Sequence, residues 1–173
     1  VIWWTIPFFY ILFGAAYFAV ANTMPPPPAT FNAAEVAEWV GARRTAVQLA
    51  YVSLYLTFGL PCFHMGLIYI LMRRMSVSPI FAYAYLAIMA AATVPGGLFN
   101  GFGFSVLALR PDRDPDAAMF LYDFANLTFT GSMGVFFIAS FVLCIAILLD
   151  KNSILPKWFG YACIWNLTTE FTV

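Results

Sequence analysis

The chain reads as an all-α protein, a polytopic transmembrane helical bundle with at least five spans and a short interfacial helix after the first. Three observations predict this. Of its 173 residues, 63% are hydrophobic and 9% charged, against about 45–50% and 25% in soluble globular chains. The apolar residues fall in long runs separated by short turns marked by Pro, Asp, Asn or Arg. Four of these five runs reach the ~20 residues that a helix needs to cross ~30 Å of hydrocarbon.

The first run covers about residues 2–21. Trp3 and Trp4 stand at its start, where an aromatic interface anchor belongs, and no small-residue cleavage site follows, so it reads as a span rather than a signal peptide. The chain opens inside this run without an initiator Met, which predicts a processed or trimmed N-terminus. Pro25-Pro26-Pro27-Pro28 then predicts a stiff polyproline II spacer. Asn32 and Glu35 have the spacing of a capping box. The turns that follow put Val36, Trp39 and Val40 on one face and Glu35 and Glu38 on the other. A helix over about 32–41, lying on the membrane surface, fits that pattern.

The second span covers about 45–72, carries Pro61 and His64 inside it, and is stopped by Arg73 and Arg74. The third covers about 80–109. It contains a seam from Thr93 to Ser105 in which Pro95 removes a backbone donor and Gly96, Gly97, Gly101 and Gly103 leave room for a kink or a close neighbour. These five residues are the expected helix-packing positions. Residues 110–116, Arg-Pro-Asp-Arg-Asp-Pro-Asp, form a loop that no helix should continue through. The fourth span covers about 117–149 and ends at Asp150-Lys151. The fifth covers about 158–173 and is short for a crossing, which predicts more chain beyond Val173. Residues 1–173 are thus expected to form a single transmembrane domain.

The formal net charge is zero, and the Lys and Arg residues are scattered along the chain. Neither nucleic-acid binding nor a polybasic lipid-surface role finds support in that distribution. Short-loop cations divide evenly, with Arg73, Arg74, Lys151 and Lys157 on one side and Arg43, Arg44, Arg110 and Arg113 on the other. The compact basic turns at Arg73 and Lys151 are taken to face the cytoplasm. Cys62, Cys144 and Cys163 are odd in number and lie in apolar runs, so free thiols are expected. No internal repeat supports an inverted-repeat transporter.

His64 is the only histidine. It could be an axial ligand to a haem or a chlorophyll-type pigment, a proton relay, or an interhelical hydrogen-bonding residue; the last is the favoured reading. No cluster of donors accompanies it, so no metal is expected. Glu170 falls about 12 residues past Trp158, near mid-bilayer if the fifth span is real, with Asn166 one turn before it. Asp123, Asn126 and Thr130 have the spacing of one helical stripe. With Asn100, Ser105 and Gln48 they are candidates for a polar vestibule or for ordinary interhelical hydrogen bonds. The 19 Phe, 9 Tyr and 5 Trp could line a slot for a quinone, a carotenoid or a sterol, or simply face lipid. Phe8-Phe9-Tyr10, Phe99 to Phe104 and Phe136-Phe137 are the densest groups. No Ser-His-Asp, paired-carboxylate or phosphate-loop pattern occurs.

Several stretches are familiar together: the Pro-rich loop with Ala34-Glu-Val-Ala-Glu38 after it, the Met72-Arg-Arg turn, Arg110-Pro-Asp-Arg-Asp-Pro115, and Leu148-Leu-Asp-Lys151 followed by Leu155-Pro-Lys-Trp-Phe-Gly-Tyr161. The chain resembles a group of uncharacterised bacterial multi-pass membrane proteins over most of its length. The resemblance implies a bacterial inner-membrane bundle of five or six spans and transfers no catalytic residue.

The expected function follows from absence and from surface. With no catalytic constellation, little intramembrane charge and small-residue seams suited to close helix contact, the chain reads as a non-catalytic accessory subunit. Its expected partners are other integral membrane proteins and membrane lipids, with lipid or a hydrophobic cofactor such as a quinone, carotenoid or pigment held at the interface. The alternatives are a small transporter or channel with a polar path near Asn100 and Asp123, and a lipid-modifying or redox enzyme centred on His64.

Overall fold

A computed structural model describes residues 4–23, 26–28 and 30–170. Among the described residues every regular element is helical: α1 (Thr5–Gly14) running into a π-helical turn (Ala15–Val20), α2 (Ala33–Gly41), α3 (Arg44–Thr57), α4 (Leu60–Met72), α5 (Ile80–Thr93) running through a second π-helical turn (Val94–Phe99) into α6 (Asn100–Leu109), α7 (Pro115–Leu149) and α8 (Lys157–Glu170). Three helical runs are long and apolar enough to cross a membrane: Arg44–Met72 with 29 residues, Ile80–Leu109 with 30 and Pro115–Leu149 with 35. This is a membrane protein, and three of the five expected spans meet that measure. The described part of the first, Thr5–Val20, is apolar but shorter. α8 has 14 residues, and Lys157, Asn166, Thr168 and Glu170 dilute its apolar character.

Local chemistry explains most boundaries. Asn32 and Glu35 form the capping box reciprocally: the Glu35 N–H donates to Asn32 Oδ1 at 3.0 Å and the Asn32 N–H donates to Glu35 Oε2 at 2.7 Å. α7 begins two residues earlier than the sequence suggests. Pro115 occupies its first turn, where a missing N–H costs nothing, and Asp114 Oδ1 accepts from the Asp116 and Ala117 N–H groups at 3.0 and 3.2 Å. The left-handed Asn22, at φ 49°, ends the first helix. Pro25, part of the expected spacer, lies outside the described residues, as do Trp3 and the last three positions, 171–173.

The second apolar run is broken where the sequence suggests continuity. α3 stops at Thr57 and α4 starts at Leu60. Pro61 cannot donate to the Thr57 carbonyl and its ring crowds that turn. Thr57 Oγ1 folds back onto the carbonyls of Ser53 and Leu54, at 2.9 and 3.2 Å. The third run bends differently: around Pro95 the winding widens to a π turn, which absorbs the missing donor without ending the helix.

The chain divides into two compact units: Val1–Pro61 with Pro95–Phe129, and Cys62–Val94 with Thr130–Val173. The first has a core of Ala16, Tyr17, Val47, Tyr51, Phe104 and Ala125 with their neighbours. Val36 and Val40 of α2 bury into it while Glu35 and Glu38 stay exposed, and the Trp39 ring meets Tyr122 edge-on at 6.0 Å. The second has a core of Met65, Met72, Tyr85, Ala139, Leu143 and Ile147 with their neighbours.

Candidate functional site

In the first unit, polar groups turn inward and meet one another. The π turn after α1 carries Tyr17, whose hydroxyl donates to Asn100 Oδ1. Asn100 is 1% exposed and its Nδ2 donates to the Ala125 carbonyl of α7 at 2.7 Å. The hydroxyls of Thr23 and Tyr51 share a hydrogen bond of 2.7 Å. The Tyr51 ring stacks on Phe104 at 4.4 Å and meets Tyr17 edge-on at 5.2 Å. Such groups are costly in an apolar core unless paired, and here each finds a partner on another segment.

The C-terminal end of α6 is closed by side chains from elsewhere. Arg44 donates from Nε to the Ala108 carbonyl at 2.8 Å and from Nη2 to Leu109 at 2.7 Å. Gln48 donates to Ala108 at 2.8 Å, and Arg113 Nη2 donates to Val106 at 2.7 Å. These carbonyls have no helical partner, and cations suit the negative end of the helix dipole. Arg44, Arg110 and Arg113 line a small cavity of about 40 Å³ there, and Arg113 Nε is buried with no hydrogen-bond partner among the described residues. Outside this end, α3 and α6 bound an open groove of about 460 Å³. Leu49, Val52, Phe102 and Leu109, all exposed, line it together with the half-buried Gln48, Ser53 and Ser105. Ser105 Oγ itself is turned onto the Gly101 carbonyl at 2.7 Å.

The predicted polar residues do not converge. Asn100 is enclosed in the core, while Asp123 is exposed on α7 beside Phe120, Phe124, Leu127 and Thr128. Asn126 Nδ2 bonds the Tyr122 carbonyl of its own helix at 2.9 Å, and Thr130 is exposed. The helical spacing that puts these residues on one stripe is silent about what the stripe faces. Glu170 closes α8, and its side chain lies outside the described residues. His64 is half-buried on α4, and among the described residues no three His, Cys, Asp or Glu side chains gather to hold a metal. All three cysteines are free thiols.

The Gly- and Pro-rich seam separates into distinct roles. Pro95 and Gly96 lie in the π turn, Gly96 buried. At Gly97 a Cβ would come within 1.5 Å of the Phe58 ring, and at Gly103 within 2.9 Å of Ala125 Cβ. These two positions are true close approaches. Gly101, buried one turn along, would meet nothing within 4 Å.

The second unit holds a polar clamp that the sequence does not announce. Asp150 is 2% exposed at the end of α7. Its Oδ1 accepts from the Ser76 N–H at 2.7 Å, the Ser76 hydroxyl at 3.0 Å and the Asn152 N–H at 3.0 Å, and its Oδ2 accepts from the Ile154 N–H at 2.9 Å. Burial opposes its charge, and these donors, led by the backbone N–H groups, outweigh that effect and hold the carboxyl down at about 2. Lys157 Nζ spends its three donors on the carbonyls of Ile147, Leu148 and Asp150, at 2.6, 2.8 and 2.8 Å. Only the topology brings residue 76 beside residue 150.

Fold and site together define an all-helical membrane protein whose described polar side chains are largely committed to holding its own helices. The chain belongs to the family described as a domain of unknown function, DUF4386, which it matches over residues 8–167. That family is uncharacterised, as the resemblance in the loop stretches implies. No curated protein and no solved structure matches the chain.

Proposed function

We propose that the chain is a non-catalytic accessory subunit of a bacterial inner-membrane protein complex, holding lipid where it meets its neighbours. The observation that carries this reading is the α3/α6 groove: it is open, lined mostly by apolar side chains, and of a size that ordered ligands occupy. Its occupant is an acyl chain of a membrane lipid. The hydroxyl and amide groups that line it are too few to recognise a sugar or a nucleotide.

In this reading the chain crosses the bilayer five times. Thr5–Val20 spans about 24 Å as a helix and α8 about 21 Å, short of the ~30 Å core, and thinning or protein neighbours take up the difference. The turns at Arg73 and Lys151 face the cytoplasm. Large side chains such as Trp4, Ile11, Leu56, Leu127 and Trp165 are all at least 71% exposed and offer lipid or partner contact.

The test is gentle detergent extraction of the tagged protein from its native membrane. Co-eluting proteins and lipids are identified by mass spectrometry, and an absorption spectrum is taken of the same fraction. Stoichiometric membrane partners with retained lipid are expected, and Val52→Trp, which fills the groove, should release that lipid. A quinone or pigment band would replace the acyl chain as occupant. A lone, lipid-free protein would overturn the reading.

A further inference from the structure

The cations that lie far apart in the sequence are gathered at one end of the second unit. Arg73 and Arg74 follow α4, and Lys151 follows α7. Asn152 Nδ2 donates to the Arg74 carbonyl at 3.1 Å, and the Lys151 N–H donates to Ser76 Oγ at 2.7 Å, so the two turns are held side by side. Arg73, Arg74 and Lys151 are all exposed. Arg73 is oriented as well: Nη1 donates to the Tyr83 hydroxyl at 2.5 Å, and its guanidinium carbon stands 5.2 Å from the centre of that ring.

Among the described side chains of this unit one acid stands against four cations, which leaves a net positive charge. Between residues 62 and 94 there is no Asp or Glu, and between 130 and 169 only Asp150. That carboxylate is enclosed and already accepts four hydrogen bonds. Lys157, the fourth cation of the unit, is committed to carbonyls. Near the helix ends that adjoin these turns, Ile80, Tyr83, Leu149 and Trp158 are each more than half exposed. Exposed apolar and aromatic side chains at helix ends, next to turns with a net positive charge, match the junction of acyl chains and headgroups.

We propose that Arg73, Arg74 and Lys151 bind the phosphate of an anionic phospholipid in the leaflet they face. This site is separate from the α3/α6 groove and belongs to the other unit. Two guanidinium forks and one ammonium suit a phosphodiester, and the clamp at Asp150 and Ser76 holds the two turns that carry them side by side before the lipid arrives.

The experiment uses the full chain in detergent with an equimolar mixture of phosphatidylglycerol and phosphatidylcholine, and counts retained lipids by native mass spectrometry. The wild type is expected to enrich phosphatidylglycerol, less so at high salt. Arg73→Gln/Arg74→Gln/Lys151→Gln should lose that enrichment by roughly a hundredfold, since each cation near an anionic surface contributes about fivefold. Arg43→Gln/Arg110→Gln, in the other unit, should keep it. Single substitutions read the same ratio if the triple variant does not fold. Equal retention of both lipids by the wild type, or enrichment undiminished in the triple variant, would overturn the proposal. So would an equal loss in the Arg43/Arg110 variant. Inorganic phosphate displacing the lipid at micromolar concentration, where chloride of the same ionic strength does not, would make the ligand a free anion and likewise overturn it.

Discussion

The Phe58 ring stands where a side chain on Gly97 would have to be: a Cβ built there lies 1.5 Å from Phe58 Cζ. Phe58 sits at the break between α3 and α4, and Gly97 in the π turn after α5. Each interruption creates room for the other. The ring also meets Phe9 edge-on at 6.2 Å, so it cannot swing away without giving up an aromatic contact. Gly97→Ala should therefore destabilise the first unit by about 1–3 kcal/mol, as overpacking does. Adding Phe58→Ala should recover part of the loss. A double-mutant cycle on detergent unfolding measures the coupling, and strictly additive effects would show that the two residues do not touch.

Gly101 and Gly103 make a sharper pair because they lie on one helix. A Cβ at Gly103 meets Ala125 Cβ at 2.9 Å, backed by the α7 backbone, whereas one at Gly101 meets open space. Gly103→Ala should cost about 1–3 kcal/mol by forcing α6 from α7. Gly101→Ala should gain about 0.5–1 kcal/mol, the ordinary helix preference for Ala. Thermal melts of the two variants in the same detergent should move in opposite directions.

The all-α class and the start of the second helix were legible because they rest on composition and local chemistry, while among the described residues only three of the five expected spans are long and apolar enough to cross. The Asn32–Glu35 spacing marks the start of α2, whereas α7 starts inside the stretch read as a loop, because Pro115 is as much at home in a helix's first turn as in a loop. The break at Phe58 was not legible, because a proline inside an apolar run bends, breaks or is tolerated according to the helices packed around it. Nor was the fate of the polar residues. Spacing places Asp123, Asn126 and Thr130 on a stripe, and tertiary packing leaves two of them exposed and turns the third onto its own helix. Asn100, beside Gly101 in the seam, is the buried one, and its partners Tyr17 and Ala125 are 83 and 25 residues away. The basic end of the second unit is hidden for the same reason: Lys151 joins Arg73 and Arg74 only through a pairing of loops that no pattern within either loop encodes.

Asn100 makes a direct test of the first core. Asn100→Leu keeps the size but leaves the Tyr17 hydroxyl without its acceptor and the Ala125 carbonyl without this donor. The expected loss is about 1–3 kcal/mol, the cost of unpaired buried polar groups. Tyr17→Phe removes one of those bonds and should cost less, near the ~0.6 kcal/mol average for interhelical hydrogen bonds in membranes. Were Asn100 instead part of an aqueous path, Asn100→Leu would leave stability unchanged and alter permeability, which liposome flux assays read separately.

Asp150 predicts how the second unit responds to acid. Its folded carboxyl is held down at about 2, below its ordinary value of 3.8. A group with a depressed folded value contributes stability that is fully present above its unfolded value and is lost as pH falls through its folded value. The contribution should thus be complete above about pH 4 and disappear between about pH 4 and pH 2, with stability falling as acid is added. Asp150→Asn keeps the shape of the side chain but has one acceptor oxygen where the carboxylate has two, so some of the donors from Ser76, Asn152 and Ile154 lose their partner. It should destabilise the unit by about 1–3 kcal/mol near neutral pH and flatten the acid limb of the melting curve. Ser76→Ala removes one hydroxyl donor, keeps the backbone donors, and should preserve most of that limb. Detergent melts of the three proteins between pH 7 and pH 2 decide the matter, and an acid limb unchanged in Asp150→Asn would assign it to another group.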